Sequence, residues 1–145
     1  MQVLSLLQQP LKSDVVIELL DVTDAKVIYD FDRLKENLPD QYWVSIREHG
    51  VQLCFDEFQV CHTIFVYTRE ADDFRPVDRS VLDIPCFEAR SEAKGWACSQ
   101  GLRIEQGQVE LFGVSRDRLK VFRNSYSVHD EFHDGQLYLI TLAST

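Results

Sequence analysis

The two halves of this chain read as one unit written twice, and nothing else in the sequence constrains the fold as strongly. Ser13-Asp14 opens a short helical stretch, and Ser91-Glu92 opens another 78 residues later. The stretch Gly50-Val51-Gln52-Leu53-Cys54-Phe55 lies over Ser127-Val128-His129-Asp130-Glu131-Phe132 at an offset of 77. Val51/Val128, Phe55/Phe132, Glu57/Asp134, Gln59/Gln136 and Val60/Leu137 coincide in type. An offset that holds across a helix and a hairpin predicts a tandem of two similar units. The expected fold is α+β: two tandem helix-plus-antiparallel-hairpin units in a single domain, 1–145, with pseudo-repeats at about 11–68 and 89–143. The alternative is chance similarity between two amphipathic hairpins.

Local signals place the elements. Val3 to Gln9 reads as a short helix halted by Pro10, which lacks a backbone donor. Ser13 is a suitable N-cap and Asp14 suits the positive helix end. Strands are expected at 26–31, 42–46, 51–55 and 59–68, where β-branched and aromatic residues concentrate. Residues 69–80 are polar, carry Pro76 and fall between the units, as a connecting loop should. A second helix is expected over Ser91 to Ser99, with Gly101 just past its end. Further strands are expected near 103–105, 108–114, 119–123, 126–132 and 136–142. Asp134-Gly135 forms the last hairpin turn.

Charge limits the partners. The net charge is −9. Residues 1–72 carry 13 acids and 6 bases, and residues 73–145 carry 11 acids and 9 bases. That balance opposes a phosphate-neutralising nucleic-acid surface. It suits either plain solubility or a basic protein partner. No apolar run approaches the about 20 residues of a membrane span. The first residues have no basic segment before an apolar one, so a cytoplasmic protein is expected.

Catalytic constellations are hard to find. His129-Asp130-Glu131-Phe132-His133 imitates a zinc-protease motif, but the context is a strand, where residues four apart are about 13 Å from one another. Cys61-His62 with nearby Cys54 could set a thiol beside an imidazole. Their apolar neighbours Val60, Ile64 and Phe65 point instead to buried structural residues. Arg116, Arg118 and Lys120 share one face of an expected strand, most simply a solvated face balancing the acid-rich N-terminal half. No metal, cofactor or catalytic residue is assigned, and a non-enzymatic role is expected.

Several segments together resemble small bacterial immunity proteins of the polymorphic-toxin kind. They are Leu7-Gln8-Gln9-Pro10-Leu11 with Ser13-Asp14-Val15, Gly50-Val51 with Leu53 and Phe55, His62-Thr63-Ile64-Phe65-Val66-Tyr67, and the Ser91-Glu92-Ala93 helix with its closing hairpin. The tandem layout also resembles the β-lactamase-inhibitor-protein and SmpA topology. The resemblance implies a protein-binding inhibitor that covers the active site of a cognate toxin. The alternatives are an assembly or adaptor protein working through a homodimer interface, or a small enzyme. The expected binding patch joins the acids Asp32, Glu36, Asp40, Glu70, Asp72 and Asp73 to the aromatic anchors Tyr42, Trp43 and Phe74, and it would face a basic toxin domain.

Overall fold

A computed structural model describes residues 2–145, apart from the side chain of Leu111. Three helices are present: α1 (Val3–Leu6), α2 (Asp14–Thr23) and α3 (Arg90–Ser99). Eight strands follow the chain as β1 (Val27–Asp30), β2 (Gln41–Ile46), β3 (Val51–Phe55), β4 (Cys61–Tyr67), β5 (Ile104–Leu111), β6 (Val114–Phe122), β7 (Tyr126–His133) and β8 (Gln136–Ser144). They form one antiparallel sheet in the order β1-β2-β3-β4-β8-β7-β6-β5.

This corrects the expected architecture of two helix-plus-hairpin units. The chain is 41% strand and 21% helix, and its strands are fused into a single sheet. The reason is backbone satisfaction. A separate unit would leave the outer edges of β4 and β8 unpaired beside each other, whereas pairing them saturates both ladders. Thr63 through Tyr67 pair with Ala143 through Leu139.

The period-two alternation decides which face is buried. Ile46, Val51, Val66, Ile140, Asp130 and Leu119 form one continuous row across six strands. Val44, Leu53, Ile64 and Leu142 form the next row. Helical side chains Val3, Leu6, Val16, Ala93 and Ala97 close over these rows in one core. The opposite face, with Trp43, Gln52, Phe65, Thr141, His129 and Lys120, carries no helix. Phe55 and Phe132 are both fully enclosed, and each sits at a register shift, after Cys54 and after Glu131. Burying each ring contributes about 2–3 kcal/mol.

Local details depart from the expectation in places. α1 stops at Leu6, because residues 8–11 turn to bond the 59–61 segment: Gln8 N–H to the Cys61 carbonyl at 2.7 Å and Leu11 N–H to that of Gln59 at 2.7 Å. Ser13 stands at the N-cap of α2, yet its hydroxyl makes no capping bond. Gly101 does terminate α3. At φ +68° it brings Leu102 N–H to the Ala97 carbonyl and its own N–H to that of Cys98, satisfying two helix-end carbonyls. The two short strands expected at 103–105 and 108–114 form one, β5.

Gly50 joins β2 to β3 after the 3-10 turn Arg47–His49. Its φ is +67°, and the 75–77 backbone runs directly across it. Tyr67 N–H bonds the Gly50 carbonyl at 2.8 Å, and Arg75 N–H bonds that of Arg47 at 2.9 Å.

Candidate functional site

The β1 edge is the most unusual surface of the molecule. β1 pairs only with β2, so one side of its backbone is open. All four of its residues are exposed. An edge strand normally alternates apolar and polar residues, but Val27, Ile28 and Tyr29 are consecutive and apolar. Ile28 is 61% exposed, and beyond the strand Leu34 and Phe58 are each 78% exposed. Phe31 and Leu38 add to the same end of the sheet, because the 31–40 loop and the 56–60 turn both lie at the Tyr42/Phe55 end of the strands. Tyr29 stacks on Tyr42 at 5.0 Å and meets Phe31 at 5.7 Å, which stiffens the cluster.

Carboxylates crowd the sequence around this apolar edge, and Asp30, Asp32 and Asp40 lie at the edge itself. Residues 14–40 hold eight acids and three bases. Among the described residues, none of these eleven charges enters an ion pair. Two of the acids shape the loop. Asp32 accepts the backbone N–H groups of Glu36 at 3.0 Å and Leu38 at 3.2 Å. Asp40 accepts the Tyr29 hydroxyl at 2.6 Å and the Asp32 N–H at 3.4 Å. The bond to Asp40 holds the Tyr29 hydroxyl protonated and raises its pKa to about 12. Glu36, Asp21 and Asp24 make no such side-chain bonds and face solvent.

The nine expected patch residues do not form one patch. Asp32, Glu36, Asp40 and Tyr42 gather at the start of β2. Glu70, Asp72, Asp73 and Phe74 follow β4, whose last residues pair with Val51 and lie beside the end of β2. The two groups are therefore at opposite ends of the sheet, separated by about 17 Å along a six-residue strand. Neighbouring positions on a strand face opposite ways, so Tyr42 lies on the helix-covered face and Trp43 on the open one, stacked on Phe65 at 6.2 Å. Phe74 is buried against Tyr67 at 4.3 Å and lies beneath Arg47, so it is a packing residue without a free surface.

The other candidates resolve similarly. Cys54 Sγ lies 3.5 Å from His62 Nε2, but burial pushes the Cys54 thiol up to about 11 and that of Cys61 up to about 12. Both shifts run opposite to what a nucleophile needs. His129 and His133 sit on β7, and His133 turns toward Asp134 at 3.4 Å. Among the described residues, no three His, Cys, Asp or Glu side chains converge as metal ligands. Arg116, Arg118 and Lys120 do not balance the N-terminal acids, since β6 lies six strand spacings from β1, about 29 Å away. Arg116 instead covers the Tyr138 ring at 4.2 Å, and Lys120 lies 5.0 Å from that of Phe122.

Among the described residues, no helix is long and apolar enough to cross a membrane. No family model, curated protein or solved structure matches this chain. The reading of its function therefore rests on its own residues. The strand expected at 26–31 forms as β1, but its open edge was not anticipated, although the unbroken Val27-Ile28-Tyr29 run was the available signal.

Proposed function

We propose that the protein is a non-enzymatic, protein-binding inhibitor, acting in the cytoplasm as an immunity protein that covers the basic active-site cleft of a cognate bacterial toxin. The observation that supports this most is the open β1 edge, apolar in its side chains and flanked by unpaired carboxylates. An extended segment of a partner can add to such an edge through main-chain hydrogen bonds. Apolar contacts to Ile28, Tyr29 and Phe31 would supply the desolvated anchors, and a basic rim on the partner would match the carboxylates. A second copy of this chain fits the same edge poorly, because it would bring acids against acids.

The test is co-expression with the protein encoded immediately upstream in the source genome, followed by affinity measurement on the purified pair. Co-expression should relieve growth arrest and yield an isolable complex. Ile28→Lys with Phe31→Lys should weaken binding by about 30-fold or more, as removal of central anchors does. Asp21→Lys with Glu36→Lys should slow association and flatten its salt dependence by a few fold. These four side chains are solvent-exposed, so the thermal midpoint should barely move. A harmless neighbour, or a complex indifferent to both variants, would refute the proposal.

A further inference from the structure

Asp130 places a carboxyl group in a core row of the sheet, flanked by Leu119 and Ile140 on the neighbouring strands. It is 4% exposed, and its Oδ1 has no hydrogen-bond partner. Among the described residues, no Lys, Arg or His makes an ion pair with it. Its side chain borders a cavity of about 300 Å³ between α1, α3, β6, β7 and the 83–87 segment. Ile84, Phe87, Trp96, Val121 and Val128 form apolar walls. Phe87 and Trp96 tilt against each other at 5.6 Å, as an aromatic corner.

The charges around the cavity are few. α1 contributes Leu4, α3 contributes Ala93 and Trp96, and the facing strands contribute Val121 and Val128, with Tyr126 adding a phenolic hydroxyl. The 83–87 segment brings Asp83, whose carboxylate is engaged by the Leu4 N–H at 3.1 Å, and the partly buried Cys86 thiol. Arg123 lies at the rim, 5.9 Å from the Trp96 ring. Arg123 bonds across to Tyr126, four residues before Asp130, so the two positions are about 13 Å apart along β7. A buried carboxylate is expensive without a countercharge and hydrogen-bond donors, and the fold provides neither.

We infer that this cavity binds a small organic ammonium ion, with the ammonium on Asp130 and an aromatic or aliphatic body against Trp96, Phe87 and Val128. The ligand supplies the donors and the positive charge that the chain withholds, and its apolar body fills the walls. The cavity lies beneath α3, on the far side of the sheet from the β1 edge, so it is independent of the protein-binding reading. Burial alone raises the Asp130 carboxyl to about 7. Affinity should therefore rise as pH climbs toward 7 and level off above it, because the ammonium selects the ionised carboxylate.

The test is a titration of the full chain with 2-phenylethylammonium, followed through the Trp96 indole and the amide signals of residues 128–132. The neutral analogue 2-phenylethanol serves as control. Saturable binding is expected at about neutral pH, at least tenfold tighter than the alcohol. Asp130→Asn should weaken the amine at least tenfold while leaving the alcohol unchanged. Val128→Phe, which fills the cavity, should abolish both. Absence of saturable shifts would overturn the inference, as would equal affinity for amine and alcohol. So would undiminished amine binding by Asp130→Asn. The alcohol control and Val128→Phe keep the test decisive should Asp130→Asn fold poorly.

Discussion

Asp130→Asn is expected to raise the thermal midpoint at about pH 8.5 and to leave it almost unchanged at about pH 5. The cause is linkage between ionisation and folding. In the unfolded chain this carboxyl titrates near its ordinary value of 3.8, and in the folded protein burial raises it to about 7. Between those values the native state holds a proton that the unfolded state has released, so stability falls as pH rises. The stability associated with the protonated group is fully present below 3.8 and is lost through about 7. The full shift corresponds to at most about 4 kcal/mol. Asparagine cannot ionise, but it leaves a buried amide short of partners, which costs about 1–3 kcal/mol. The net gain at high pH is then about 1–3 kcal/mol, or a rise of several degrees for a chain of this length. Thermal melts of both proteins across that pH range measure it directly. Parallel pH profiles for wild type and variant would mean that Asp130 ionises freely in the fold.

Gly50→Ala is expected to be the most damaging small substitution. An added Cβ would collide with the Arg75 carbonyl oxygen and lie 2.7 Å from the Val77 nitrogen, both backbone atoms. Neither can move alone, because Arg75 N–H is bonded to Arg47 and Val77 N–H to Tyr67 at 2.8 Å. The φ of +67° adds a left-handed penalty of about 1 kcal/mol. Together these should cost about 3–5 kcal/mol, in the range of backbone strain combined with core disruption. Gly135→Ala provides the comparison. Its φ is +75°, but nothing lies within 4 Å of the added methyl. It should lose only about 1 kcal/mol. Denaturant melts of the two variants separate crowding from conformational strain, and equal losses would show that crowding contributes nothing.

The local half of this fold was legible and the global half was not. Alternation in Val51-Gln52-Leu53 and the Asp134-Gly135 turn fix β3 and the β7–β8 hairpin, since both depend on neighbours in sequence. The β4–β8 ladder depends on Ile64 meeting Leu142, a contact no local pattern encodes. Its absence from the sequence reading left two units where one sheet forms. The nine patch residues are split between two ends of the sheet for the same reason. Asp32 and Asp72 were grouped because both fall in acidic loops, but strand direction sends those loops to opposite ends. Asp130 was visible only as part of a false zinc motif. Its place between Val128 and Phe132, on the apolar phase of a strand, was the signal that mattered.

The strand order also governs how the protein can be assembled in time. β8 is the last strand along the chain, yet it lies at the middle of the sheet, between β4 and β7. During synthesis, β1 to β4 emerge first and must wait with the outer edge of β4 unpaired, while β5 to β7 collect without the strand that joins them. Closure requires contacts between residues 63–67 and 139–143, a separation that makes the step slow and leaves sticky edges exposed meanwhile. Loss of β8 would divide the sheet into two pieces with four open edges between them. β8 is thus the keystone of the sheet, and nascent chains lacking it are the form most exposed to aggregation.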